Sequence, residues 1–273
     1  MVPAQAVASV RVPILMYHEI AGRTESSSRL AVSPDAFSAQ LAHLHDEGYR
    51  TVTVAGLLTS MAGGDGRLPD RPVVLTFDDG YADFYSQAMP LLDRYGFTAT
   101  VFITTGWVRD AKGPPIRQPP GRMLSWAEIE DVVNAGIEAA SHSHAHPQLD
   151  QLPPHRLRYE LATGKTVLED RLGSPIIGLA YPFGYSGARV REAAREAGHR
   201  YSCAVENTTM SSESDLLALP RLTVRRSITM PVFQQIVQGH NLNRIYFKDR
   251  AMTKGWSVVR RGKEALGRFS GEK

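Results

Sequence analysis

The sequence predicts an α/β fold, a distorted barrel of seven or eight parallel strands, from two observations. Short apolar runs of β-type residues alternate with longer helical patterns along most of the 273 residues. The run at 72–77, PVVLTF, is almost entirely apolar, as expected for a strand that is buried on both faces. Seven or eight such β-then-α units favour a barrel over an open sheet.

The predicted elements follow one another in a regular order. The runs predicted as strands are residues 13–17, 49–54, 72–77, 98–105, 137–142, 176–182, 201–205 and 218–224. The patterns predicted as helices are residues 33–48, 82–96, 125–136, 154–173, 187–198 and 231–239. Ser33 can cap the first helix, and Pro34 suits its first turn. Ser125 stands three residues before Glu128, which is the spacing of a capping box.

Charge is distributed unevenly along the chain. The net charge of +3 gives no indication of nucleic-acid binding. Residues 241–273, however, hold nine Lys and Arg against three Asp and Glu. We therefore divide the chain into a barrel domain, residues 1–240, and a basic C-terminal extension, residues 241–273. Two interpretations of the extension stay open: contact with an anionic membrane surface or a lipid-linked sugar, or a solvated end segment whose aromatic residues pack on the body.

The N-terminal residues lack the basic start and long apolar run of a signal peptide. This absence predicts a cytoplasmic location, and an extracytoplasmic or membrane-peripheral location is the alternative. Cys203 is the single cysteine, so no internal disulfide is expected, and we interpret it as a core residue.

Three polar clusters fall at the carboxyl ends of predicted strands, where parallel barrels place their functional side chains. They are the pair Asp78-Asp79, the run SHSHAHP at 141–147 and the turn YPFG at 181–184. We expect the three clusters to meet at one end of the barrel.

The acidic pair and the histidines together indicate a metal site. Two adjacent carboxylates, Asp78 and Asp79, repel each other at the end of a buried strand, and a divalent cation would relieve that repulsion. His142 and His146 are four residues apart, so one helical turn or a tight loop can aim both at one point, and His144 could replace either. Two histidines and one carboxylate form a triad that leaves positions open for water and substrate. The second carboxylate would then be available as a general base.

The motifs TFDDG, SHSHAHP and YPFG, taken together, resemble the successive motifs of the polysaccharide deacetylase family, carbohydrate esterase family 4, with its NodB homology domain. The resemblance runs from about residue 11 to residue 239. It implies a distorted (β/α) barrel of the NodB type and metal-dependent removal of N- or O-acetyl groups from sugars. By position, Asp78 resembles the catalytic base, and Asp79, His142 and His146 resemble the metal ligands. We therefore expect one divalent ion, zinc before cobalt, nickel or manganese.

The third motif departs from the family pattern. Ala180 stands where the family has an arginine that orients the catalytic aspartate. Arg221, in the later strand LPRLTV, is our candidate for that charge, and a surface or structural arginine is the alternative. The resemblance also implies that the backbone N–H of Phe183 helps to bind the oxyanion.

Substrate-binding residues are predicted at the same end of the barrel. They are Tyr181, Pro182 and Trp107, and core or rim packing is the alternative for Trp107.

The general acid is predicted in an unusual place. No late Leu-x-His motif is evident, and His240 is the only late candidate. The start ILMYH resembles instead the poly-N-acetylglucosamine deacetylase branch of the family, in which the motif order is permuted and this early histidine serves as the acid. We therefore assign the acid to His18, with a structural histidine as the alternative.

The resemblance therefore implies a metal-dependent hydrolase that removes N-acetyl groups from an N-acetylglucosamine-containing polysaccharide or glycoside. Two alternatives stay open. One is a deacylase or deformylase that acts on a different amide or on an O-acetyl ester. The other is a metal-containing carbohydrate-binding protein with little turnover. Both the sugar N-deacetylase and the carbohydrate-binding protein would have a carbohydrate partner and no nucleic-acid partner.

Overall fold

A computed structural model describes residues 11–63, 68–111 and 118–251 of the chain, and the statements below concern those residues. The strands are β1 (Ile14–Tyr17), β2 (Arg50–Thr51), β3 (Pro72–Phe77), β4 (Thr100–Ile103), β5 (Glu138–Ser141), β6 (Gly178–Ala180), β7 (Tyr201–Cys203) and β8 (Leu222–Thr223). The helices are α1 (Pro34–Asp46), α2 (Val54–Met61), α3 (Met89–Arg94), α4 (Trp126–Asn134), α5 (Pro154–Leu172), α6 (Ala188–Glu196), α7 (Met230–Val237) and α8 (Leu242–Ile245).

The strands form one parallel sheet that curls into a distorted barrel. Their order is β7-β6-β5-β4-β3-β1-β8, and β2 pairs with the start of β3. Near β7 the sheet continues through a single parallel bridge between Cys203 and Leu219, and β8 then pairs with β1. The predicted distorted barrel is therefore confirmed, and its strands all direct their carboxyl ends to the same rim.

The core explains why the strand sequences are so apolar. All residues of β1, β3 and β4 are buried. Tyr17 stacks on Phe77 with ring centroids 5.3 Å apart, and Phe37 of α1 meets both rings edge-on. These rings anchor the strands that carry the acidic pair, because Tyr17 and Phe77 are the last residues of β1 and β3.

Most predicted strands are longer than the observed ones, and two of the boundary differences have a clear local cause. The strand predicted at 49–54 ends at Thr51, because the Thr53 side chain accepts a hydrogen bond from the Gly56 N–H and starts helix α2. The helix predicted at 82–96 begins with a π-helical turn, Phe84–Ala88. Pro90, which lacks an N–H and crowds the preceding turn, accounts for the irregular start of α3.

The first part of the basic extension packs on the barrel. Tyr246 is fully buried, and its hydroxyl donates a hydrogen bond to the Thr223 carbonyl at 2.8 Å. Phe247 is 69% exposed. Residues 252–273 lie outside the described residues, so the membrane interpretation and the domain division at residue 240 stay predictions.

Within the described ranges, no helix has both the length and the apolar character that crossing a bilayer requires.

Candidate functional site

The predicted ligand residues come together at the carboxyl ends of β3 and β5. Asp79 follows β3, whereas His142 and His146 follow β5 and lie in the segment 141–147, which we call the histidine loop. Each of the three residues offers one ligand atom, and these atoms all lie within 4.8 Å of one another. The Nε2 atoms of His142 and His146 are 3.4 and 3.2 Å from Asp79 Oδ1.

The chemistry of these atoms fits a divalent cation. The Nδ1 of His142 is 2.7 Å from the Ala180 carbonyl oxygen, which can only accept, so Nδ1 carries a proton, and in the neutral ring Nε2 presents a lone pair. Asp79 Oδ1 is buried and has no well-aligned donor among the described residues. Electron-rich atoms therefore converge on one buried point, and a divalent cation suits this donor set.

His144, the alternative ligand, faces another way. Its Nδ1 lies 2.9 Å from Thr105 Oγ1, and its ring meets Tyr159 edge-on. It is absent from the ligand group found among the described residues.

The electrostatics keep Asp79 ionised. Burial by itself raises the pKa of Asp79, but the neighbouring rings of His142 and His146 outweigh burial and hold the pKa well below its usual value. Burial lowers the pKa of His146, which favours its neutral, metal-binding form.

Asp78 is held by an arginine from the other end of the sequence. Arg221 is fully buried, and its two terminal nitrogens donate to Asp78 Oδ1 at 2.6 Å and Oδ2 at 2.8 Å. Its Nε donates to the Ala204 carbonyl at 3.1 Å. Burial raises the pKa of Asp78, but the charge and hydrogen bonds of Arg221, together with the charges of His142 and His18, outweigh burial, so the pKa of this carboxyl is lowered. The surface alternative for Arg221 is wrong, whereas its role in catalysis stays a prediction.

His18 lies near both carboxylates. It follows β1, and its charge would lower the pKa of Asp78 and of Asp79. Its Nδ1 is buried and has no hydrogen-bond partner among the described residues. The structure thus brings His18 to the site, and its role as general acid stays a prediction.

The third motif forms a tight turn beside the histidines. Pro182–Gly184 is a 3-10 turn in which Phe183 has φ 62°. The Phe183 ring is 44% exposed and lies 4.9 Å from the His146 ring. Gly184 is required here, because a Cβ at this position would lie 2.6 Å from the Val205 side chain.

Two substrate assignments need correction. Tyr181 is fully buried, and its hydroxyl donates to the Leu217 carbonyl at 2.8 Å. Pro182 is buried as well. Neither side chain is open to a sugar, so both support the turn instead. Trp107 is 5% exposed and stacks on the His146 ring with centroids 4.9 Å apart. This position favours the alternative role of Trp107, which is packing.

Backbone strain is concentrated in this site. Among the described residues, six residues other than glycine have positive φ, and four of them belong to the three motifs: Asp79, Ser143, His146 and Phe183. Each such conformation costs roughly 1–3 kcal/mol and persists only where the surroundings enforce it. The strain indicates that side-chain positions in the site are determined by the surrounding structure.

Sequence reasoning missed two residues that contact the site. Tyr81 is buried and interacts with Asp79, and Glu160 of α5 is buried against the histidine loop. Tyr81 follows the acidic motif by two residues, and this proximity was a usable signal. The sequence gives no such signal for Glu160, because it occupies an ordinary polar position of an amphipathic helix.

A barrel with this acid-and-histidine rim defines a class of hydrolases, and comparison with known proteins narrows the class. Residues 65–202, half of the chain, match the family model described as polysaccharide deacetylase. The chain therefore belongs to the polysaccharide deacetylase family, as its motifs predicted.

Three similar proteins illustrate the membership. YxkH of Bacillus subtilis (strain 168), which is named as a polysaccharide deacetylase, is 29% identical over 231 residues, covering 84% of this chain and 77% of that protein. The poly-beta-1,6-N-acetyl-D-glucosamine N-deacetylase of Staphylococcus aureus (strain MRSA252) is 24% identical over 205 residues, or 71% and 68% of the two chains. The solved structure of the Streptococcus pyogenes deacetylase PplD with acetate has a TM-score of 0.74 at 26% identity, covering 84% and 99%.

Proposed function

We propose that this protein is a metal-dependent N-deacetylase of an N-acetylglucosamine-containing polysaccharide or glycoside. The observation that carries the proposal is the division of labour between the adjacent aspartates. Asp79 joins two histidines at one buried point, whereas Asp78 is turned to Arg221 and stays outside that ligand group. A protein that only binds a metal and a sugar has no need for the second carboxylate.

Asp79, His142 and His146 are the residues that would hold the ion. A divalent cation supplies Lewis-acid chemistry there, polarising the amide carbonyl and making water more acidic. Zinc is the ion that a set of two histidines and one carboxylate suits first. The Ala180 carbonyl accepts from His142 Nδ1, which would leave Nε2 as the nitrogen that holds the ion.

The other residues handle the protons and the developing charge. A carboxylate oxygen of Asp78 accepts a proton from the water that attacks the amide carbon, while Arg221 keeps that carboxylate oriented. The Phe183 N–H donates a hydrogen bond to the oxyanion. His18 then donates a proton to the departing nitrogen as the C–N bond breaks. Acetate and a free sugar amine are the products.

The choice of an N-acetylated sugar rests on the relatives and on the rim. The Staphylococcus aureus relative is named as a deacetylase of an N-acetylglucosamine polymer. Beside the site, the rings of Phe183 and Tyr185 stack with centroids 6.1 Å apart, and the half-exposed Phe183 offers an apolar face to a sugar ring. A sugar is therefore favoured over a small amide.

Acetate release tests the proposal. Metal-stripped protein and protein reloaded with zinc, cobalt, nickel or manganese are incubated with β-1,6-linked N-acetylglucosamine oligomers and with the monosaccharide. We expect release only after reloading, and an Asp78→Asn variant should bind metal but release about 10²–10⁴-fold less acetate. Formamides and O-acetyl esters are assayed in parallel. If acetate or formate is released only from those substrates, they replace the N-acetylated sugar as the proposed substrate. If the metal-loaded protein releases nothing from the sugars, the formamides or the esters, the hydrolase proposal is overturned.

A further inference from the structure

We propose that helix α5 is a clamp that pre-forms the metal site, with Glu160 and Gly164 as its positioning residues. The inference rests on the proposed metal site and concerns what holds the histidine loop in place before an ion binds. Neither residue belongs to the three motifs, and neither touches the ligand atoms. Both act through the backbone of the loop between the two histidine ligands.

Glu160 grips the loop through hydrogen bonds. Its side chain is 2% exposed, and its Oε2 accepts hydrogen bonds from the N–H of His144 at 3.1 Å and of Ala145 at 2.8 Å. A buried carboxylate is costly unless it is hydrogen-bonded, and these two donors meet that need. Without Glu160, two N–H groups at the centre of the loop would lose their acceptor.

Gly164 lets the helix approach the loop closely. It lies four residues after Glu160, so both face the same side of α5. A Cβ at Gly164 would lie 2.7 Å from the carbonyl carbon of Ser143 and 2.9 Å from the Ser141 Oγ. The nearest of these is a backbone atom, so a methyl group there would push the loop away from the helix.

A second element holds the loop from another direction. The 3-10 turn Thr105–Trp107 contributes the Gly106 N–H, which donates to the His144 carbonyl at 2.7 Å, and the Thr105 N–H, which donates to the Ser143 carbonyl at 3.4 Å. A Cβ at Gly106 would lie 2.6 Å from the His144 oxygen. The backbone of the loop is therefore fixed by α5 and by this turn.

The conformation of the loop explains why a clamp is needed. Ser143 and His146 have φ of 64° and 54°, in the left-handed region that side-chain-bearing residues rarely adopt. Within the loop, the His146 N–H donates to Ser143 Oγ at 3.1 Å. External contacts must enforce two such residues, since only then do His142 and His146 point to Asp79 together.

Metal affinity and hydrogen exchange test the clamp independently of turnover. Glu160→Leu keeps the side-chain size but removes the acceptor, Glu160→Gln keeps one acceptor oxygen without the charge, and Asp170→Asn alters an exposed carboxylate on the same helix. Zinc affinity of each metal-free full-length protein is measured by competition with a chromophoric chelator. We expect about 10–100-fold weaker binding for Glu160→Leu, a smaller loss for Glu160→Gln and no change for Asp170→Asn.

Amide exchange in the metal-free proteins is the second readout. Glu160→Leu and Gly164→Ala should both speed exchange in residues 143–146, while β3 and β5 keep the protection of the unmodified protein. Should Glu160→Leu fail to fold, Glu160→Gln and Gly164→Ala still decide the matter. Folded variants with unchanged exchange and unchanged zinc affinity would overturn the clamp. An unmodified protein that binds none of zinc, cobalt, nickel and manganese would overturn the proposed function instead, and the exchange data would still test the clamp.

Discussion

Arg221 and Asp78 show how one residue pair defines the chemistry at the rim. The guanidinium binds both carboxylate oxygens, and it also donates to the Ala204 carbonyl. A buried carboxylate and a buried guanidinium are each costly, and the two parallel hydrogen bonds offset that cost. The pair therefore keeps an ionised carboxylate next to the ligand group without making it a ligand.

Replacing Arg221 by lysine should separate orientation from charge. Arg221→Lys keeps the positive charge but loses the two-pronged geometry, so we expect kcat for acetate release to fall about 100-fold while metal content stays the same. Arg221→Ala leaves a buried charge unpaired and should cost roughly 3–5 kcal/mol of the free energy of unfolding. Arg200→Lys, at an exposed position, is the control. Full activity in Arg221→Lys would show that charge alone suffices.

The protonating residue can be tested at position 18. We expect His18→Gln to lower kcat by about 10²–10⁴-fold, because the amine would leave without a positioned acid. Metal stoichiometry, measured by elemental analysis, should not change, since His18 is outside the ligand group. A variant with normal turnover would remove His18 from the mechanism and return the assignment to a structural role.

At the scale of elements, the site depends on where strands end and helices begin. The acidic pair follows β3, the histidines follow β5 and the Phe183 turn follows β6, so three parallel strands deliver three motifs to one rim. Helix α4 leads into β5, and the predicted capping box is present at its start. The Ser125 side chain accepts a hydrogen bond from the Glu128 N–H, and the Glu128 side chain accepts one from the Ser125 N–H.

Removing this cap should affect stability and leave chemistry alone. Ser125→Ala should lower the free energy of unfolding by about 1 kcal/mol, because the first turn of α4 loses an acceptor. Denaturant unfolding measures the change, and Ser86→Ala, an exposed serine in the π-helical turn, is the matched control. Equal midpoints for the two variants would mean that the capping box contributes nothing measurable.

At the scale of the whole molecule, a buried histidine away from the rim links stability to pH. His199 is 2% exposed, and its burial lowers its pKa to about 4. The Lys165 charge adds to this lowering, and the Glu169 charge opposes it. The unfolded chain binds a proton near pH 6.5, whereas the folded protein resists it. Stability from this residue is therefore complete above about pH 6.5 and is lost as the pH falls toward 4.

Between pH 7.5 and pH 4, we expect protonation linked to His199 to lower the free energy of unfolding by about 3 kcal/mol. Denaturant unfolding at several pH values measures it in the unmodified protein and in His199→Gln. The variant should show a shallower decline toward low pH, whatever its stability at pH 7.5. His155→Gln, an exposed histidine on α5, should decline like the unmodified protein. Parallel declines for all three proteins would contradict the assignment.

The sequence alone predicted the succession of strands and helices along the chain and the three motifs, and with the family resemblance it predicted which residues would form the ligand group. This was possible because those signals are local: an apolar run sets a strand, and polar residues directly after it stand at the rim. Asp79, His142 and His146 could be grouped for that reason. The same logic misjudged Tyr181, because a residue next to a motif can point inward, and only packing shows it.

Only the tertiary structure decided the contacts between distant parts of the chain. Arg221 meets Asp78 across 143 positions because β8 pairs with β1, next to β3, in the curled sheet. Glu160 reaches the histidine loop because α5 packs against it at a glycine. Neither contact has a spacing that a sequence can display, since each depends on how strands and helices come together in space, and not on which residues follow one another.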